Sequence, residues 1–165
     1  MPIPAAPEGP LTSGDAVLTL FRQVHQQLRH ELSDLDDEAV RWMPTEGANP
    51  IAVIVRHILG SEAECLGTVA EVEVTRDRDA EFLPGSAGVE GLLRLVDEAD
   101  VRIDDLASRI TPERLGESAA LPTLPSDELR PAMTWLIGNY GHAREHVGHV
   151  QLTRQLFLAE RAARH

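Results

Sequence analysis

The chain has 165 residues, enough for one domain with a sizeable core, and carries 27 acidic against 15 basic side chains for a formal charge of -12. So acidic a surface repels polyanions, because nucleic-acid affinity rests on Lys and Arg neutralising phosphates. No apolar run approaches the roughly 20 residues of a membrane span, so neither a nucleic-acid nor a membrane partner is expected.

The hydrophobic fraction is 42% but the aromatic fraction only 4%, so the core must be mostly Leu, Val, Ile and Ala. Every basic residue is Arg, a bias that fits GC-rich codons better than a function. The single cysteine, Cys65, has no intrachain disulfide partner, which suits a reducing compartment. The start, "MPIPAAPEGP", lacks the charged head and apolar run of a signal peptide, so a cytoplasmic location is expected.

Residues 1–11, rich in Pro and Ala, read as a frayed segment ahead of a single domain over 12–165. In "LTSGDAVLTLFRQVHQQLRHELSDL", Val17, Leu20, Phe21, Val24, Leu28 and Leu32 recur at three- and four-residue steps, which predicts a first helix. Ser13 with Asp15 supplies an oxygen cap and a negative charge at its start. A connection follows, with one helical turn around Asp36–Arg41. Asn49-Pro50 then opens a second helix, "IAVIVRHILGSEAECLGTVAEVE", Asn as cap and Pro at the first helical position.

"RDRDAEFLPGSAG" reads as a polar loop. A third helix follows, with Leu92, Leu95, Val96, Ala99, Ile103, Leu106 and Ile110 on its apolar stripe, ended by Thr111-Pro112. "ERLGESAALPTLPSDELRP" has three prolines and no period, so it reads as loop, and a long last helix runs from about Pro131. No stretch alternates apolar and polar residues long enough for a sheet. The expected fold is all-α, a four-helix bundle, with any site built in the core from facing helices.

The chemistry concentrates in "GHAREHVGHVQ". Steps of four and three stack His142, His146 and His149 on one helix face. An i, i+4 pair sets two imidazoles about 6 Å apart along the axis, from which both can reach one ion at roughly 2.0–2.1 Å. Ile137 and Val150, a turn to either side, suggest that this face looks into the bundle. His57, among Val53, Ile54, Ile58 and Leu59, suggests the same for the second helix. Two histidines from one helix and one from another make a three-nitrogen site with an open position, the arrangement a catalytic metal needs. His30 and His165 read as surface residues, and His25 as a structural one.

The segments "NPIAVIVRHILGSEAECLG" and "LRPAMTWLIGNYGHAREHVGHVQLTRQL", with "ELSDLDDEAVRWMPTEGANP" upstream, resemble the DinB/YfiT-like superfamily of four-helix bundles over residues 12 to 158. The resemblance implies metal ligation by His57, His142 and His146. Many relatives have Gln where His149 stands. His149 is thus a neutral substitute for that Gln, an extra polar group near the site, or a fourth ligand.

Weaker catalytic candidates are Glu64, which shares the His57 face, His149, and Arg56 and Arg144. The two arginines adjoin ligand positions, where a guanidinium can hold a substrate carboxylate. Cys65 reads as a small core residue, and Trp42 and Trp135 as core or loop anchors. The resemblance implies a metal-dependent transferase or isomerase in which a divalent ion activates a low-molecular-weight thiol (mycothiol, bacillithiol or glutathione) for attack on an electrophile. Zn2+ is the first expectation, with Ni2+, Fe2+ or Mn2+ also suited to three imidazoles. The alternatives are a metal-assisted hydrolase and a non-catalytic metal-binding dimer. The resemblance also implies a homodimer.

Overall fold

The computed structural model describes residues 12–83, 88–123 and 128–164. The segment expected to fray, 1–11, and His165 lie outside the described residues. Helix α1 (Ser13–Leu32) begins with a reciprocal capping box, but its cap is Thr12 and not Ser13. The Thr12 hydroxyl accepts from the Asp15 N–H at 3.1 Å while the Asp15 carboxylate accepts from the Thr12 N–H, also at 3.1 Å. The buried stripe is Val17, Leu18, Phe21, Val24, Leu28 and Leu32, so Leu18 takes the core place expected of Leu20.

Helix α2 (Asp37–Arg41) is the expected single turn, capped by the Asp36 carboxylate. Helix α3 (Ile51–Ala70) starts one residue later than the Asn-Pro pattern implies. Pro50 is itself the cap residue, so Asn49 lies beyond capping reach and makes no cap hydrogen bond. Two stretches read as loop contain short elements. Asp77 caps α4 (Arg78–Phe82) through the Ala80 N–H at 3.0 Å. Thr111, expected only to end the third helix, caps α6 (Pro112–Gly116) in the same way. Before it come α5 (Val89–Leu106) and a 3-10 turn (Ala107–Arg109). Strands β1 (Ser118–Ala119) and β2 (Arg130–Pro131) form a two-residue antiparallel ladder, too short to leave an alternating pattern in sequence. Helix α7 (Ala132–Ala163) completes the described chain.

The four long helices form a bundle in which α1 and α3 each pack against both α5 and α7. Helices α1 and α3 are therefore diagonal to each other, as are α5 and α7, so the connections after α1 and after α5 cross the ends of the bundle. Sixteen of the twenty residues of α3 are buried, the signature of a helix covered on all sides. Trp135 donates from its indole to the Ala119 carbonyl at 2.7 Å, and Trp42 meets Phe157 edge-on, so both tryptophans are anchors as expected. Cys65 is buried in the core, and its thiol is pushed up to about 12 by burial and then by Glu64 and Glu62, so it is inert. Among the described residues no helix is long and apolar enough to cross a membrane.

His25 is fully buried, and both ring nitrogens face carboxylates. Nδ1 lies 2.6 Å from Asp100 on α5, and Nε2 lies 2.9 Å from Glu62 on α3. Burial by itself disfavours the imidazolium, but the hydrogen bonds to Asp100 and Glu62 outweigh it and push the pKa up to about 9. Because the folded value exceeds the unfolded one, this stabilisation is complete below about pH 6.5 and is lost as pH rises through 9. Its size is on the order of 3 kcal/mol. Urea unfolding is therefore expected to show a midpoint that falls between pH 7 and pH 10. In His25→Phe the protein is less stable at pH 7 and that fall is flattened; an equally steep fall in the variant would remove the triad as its cause.

Candidate metal centre

Helix α3 presents His57 towards α7, and α7 presents His142 and His146 one turn apart. Ligand atoms of the three imidazoles all lie within 4.8 Å of one another. His57 Nε2 and His142 Nε2 are 3.0 Å apart. Two nitrogens that each bind one ion at about 2.1 Å stand about 3 Å apart when their bonds meet near a right angle, so this spacing fits a shared divalent cation. The ring centroids of His142 and His146 are 4.4 Å apart, and each lies about 5 Å from that of His57.

The histidine row of α7 does not look into the bundle as expected. Val150 is buried, but Ile137 is 56% exposed, and the buried stripe runs through Ala143, Val147 and Val150. His142 and His146 border that stripe, half-buried, on a cavity of about 520 Å³ whose walls include Val53, Ile54, Phe82, Leu152 and Thr153. The row runs one residue behind that stripe, about 100° around the helix, so it meets a cleft instead of the core.

Both half-buried rings are kept neutral, as ligands must be. His146 is lowered to about 4, first by burial and then by its neighbours His142, His57 and His149. His142 is lowered by burial and then by His57.

The backing of His57 comes from residues that sequence reasoning missed. Its Nδ1 lies 2.9 Å from the Glu81 carboxylate on α4. That contact assigns the proton to Nδ1 and leaves the Nε2 lone pair facing the histidines of α7. Arg76 clamps Glu81 with two hydrogen bonds of 2.7 and 2.9 Å and reaches Glu64 at 2.8 Å. This buried group sets two carboxylates against one guanidinium behind the imidazoles, an arrangement that favours a cation. Phe82 covers the other side of His57, with ring centroids 5.1 Å apart. Glu81 comes this close because residue 60 is glycine: a Cβ there would stand 2.1 Å from Glu81 Oε1. The one sequence signal for α4 was Asp77 as a helix cap inside a segment read as loop.

Of the weaker candidates, Glu64 is buried and held by Arg76 and the Thr123 hydroxyl, so its link to His57 runs through Arg76. Arg56 donates to the Ala80 and Leu83 carbonyls, tying α4 to α3, and Arg144 pairs with Gln27. Neither guanidinium is aimed at the cavity. His149 stands outside the three-nitrogen group, exposed, with Nδ1 3.1 Å from His146 Nδ1. It serves His146 as a hydrogen-bonding neighbour, much as Glu81 serves His57. His30 is exposed, as expected.

A family model described as the DinB superfamily matches residues 1–150. Among solved structures, the chain is similar to a DinB-like protein from Bacillus cereus, at 12% identity and TM-score 0.69, over 86% of this chain and 90% of that one. It is also similar to YfiT from Bacillus subtilis, described as a probable metal-dependent hydrolase with an unusual four-helix bundle topology. There the identity is 15% and the TM-score 0.67, over 92% of each chain. No curated protein matches the chain.

The Glu81 contact has a direct consequence for ion affinity. Glu81→Gln keeps the shape but removes the charge behind His57, and is expected to weaken divalent-ion binding about 10- to 100-fold in competition with a chromophoric chelator. Gly60→Ala should weaken it in the same direction by displacing Glu81. Unchanged affinity in both variants would show that Glu81 does not support the site.

Proposed function

The chain belongs to the DinB superfamily, and from that premise we propose that it is a metal-dependent enzyme that activates a nucleophile beside the cavity. The observation that carries this is the convergence of three imidazoles, from two helices, on one point with a cavity at their open side. A structural ion is normally enclosed by four protein ligands, whereas His57, His142 and His146 supply three and His149 stands apart. A bound divalent ion would supply Lewis acidity and lower the pKa of a thiol or water that reaches it.

The protein's own residues do the rest. Glu81 holds the proton of His57 on Nδ1, so that Nε2 stays a lone-pair donor. Burial keeps His142 and His146 unprotonated. Val53, Ile54, Phe82 and Leu152 give the cavity apolar walls that exclude water from a bound substrate. The nucleophile to which the sequence resemblance points is a low-molecular-weight thiol, making the reaction a transfer or isomerisation. The hydrolase reading stands beside it because YfiT, of similar fold, is described as a probable metal-dependent hydrolase.

Elemental analysis of untagged protein is expected to find about one divalent ion per chain, lost in a His57→Ala, His142→Ala double variant. Metal-loaded protein with a thiol and a generic electrophile should then turn over, and chelation should abolish the activity. Ester hydrolysis in thiol-free buffer would favour water as the nucleophile. Thiol turnover that persists in the metal-free protein would sink the metal mechanism.

A further inference from the structure

The cavity beside the histidines is unusual for so acidic a chain. None of the described residues that line it is Asp or Glu, although the chain has 27 of them. Among the described residues one arginine lines it, Arg78 on α4. The other arginines around the site are committed: Arg76 to Glu81 and Glu64, Arg56 to three backbone carbonyls, Arg144 to Gln27. The Arg78 side chain makes no hydrogen bond or ion pair among the described residues. Its guanidinium lies over the Phe82 ring, 5.4 Å from the centroid. Stacking on an aromatic face orients the planar group while leaving its N–H edge free for a carboxylate.

We infer that the cavity takes a small molecule with an apolar body and one carboxylate, the carboxylate docking on Arg78 and the body lying along Val53, Ile54 and Leu152. This rests on reading the cavity as the substrate pocket of the proposed enzyme. A volume of about 520 Å³ lies within the usual range for small-molecule sites, and the walls are largely apolar. The overall charge of -12 disfavours anions at long range, so an anionic ligand needs a local cation free of carboxylate partners, and Arg78 is placed as one. The guanidinium expected at the mouth from Arg56 or Arg144 is thus supplied from α4. Arg78 is a specificity residue here, separate from the groups that would hold the ion.

Isothermal titration of the full chain with 4-phenylbutyrate and its uncharged amide tests this, both with chelator present and after metal loading. Arg78→Gln and Arg78→Lys are the variants, with Arg94→Gln as a surface control. The acid should bind more tightly than the amide. Arg78→Gln should weaken the acid about tenfold or more while leaving the amide unchanged. Arg78→Lys should retain part of the preference, and Arg94→Gln all of it. Arg78 is exposed, so the melting temperature reports whether the variants stay folded.

Equal affinity for acid and amide, acid binding that survives Arg78→Gln, or no binding of either probe would each overturn the inference. Acid affinity that vanishes on chelation but ignores Arg78→Gln would place the carboxylate on the ion and overturn it as well. The chelator arm does not need metal or turnover, so failure of the enzymatic reading and failure of the Arg78 assignment are separately visible.

Discussion

Helix α3 is apolar on nearly every side, yet it carries His57, Glu62 and Glu64 at buried positions. Burying an ionised group without a partner costs several kcal/mol, so each demands a counter-group from another element. Glu62 is met by His25 from α1, which Asp100 on α5 holds from the other side. Glu64 is met by Arg76, and His57 by Glu81, both from the segment after α3. Long apolar helices can slide by a turn at small cost, but these pairings work in one register only. The polar groups inside α3 therefore set the register of α1, α5 and α4 relative to it.

The same requirement builds the candidate metal centre. Arg76 satisfies Glu64 and Glu81 together, and Glu81 in turn fixes the proton on His57. The nitrogen that His57 offers to a cation is thus held by a chain of contacts that starts as a solution to buried charge. On the α7 side the histidines need no such backing to stay neutral, because burial and their crowding suffice. The site lies at the rim of the packed core, where apolar support comes from one side and access from the other. That division, rigid behind and open in front, is what a reactive site needs.

The four-helix plan was legible in the sequence because it rests on periodicity, which a helix needs locally: the stripes of α1 and α5 and the continuous apolar run of α3 are visible without any partner. His57, His142 and His146 were legible too, since a four-residue step on one helix and a His among Val and Ile on another have a chemical meaning of their own. Boundaries were read less well. Thr12 displaced Ser13 as cap, and Pro50 displaced Asn49, because a one-residue shift in helix start changes which oxygen meets the free N–H groups.

What only the tertiary structure decided concerns groups far apart in sequence or weak in local signal. Five residues at Arg78–Phe82, too short for a hydrophobic period, form a helix only by capping and by packing against α3, and they bring Glu81 to His57. Glycine at 60 has no meaning in the sequence until a carboxylate from residue 81 needs the space. Arg56 and Arg144 adjoin ligand positions in sequence, but a helix turns 100° per residue, and adjacency along the chain sends their guanidinium groups elsewhere. Sequence alone thus determined the helices and the three imidazoles, because their signals are local. The fold decided their backing, their open side and the arginine at the cavity, because those depend on where distant segments meet.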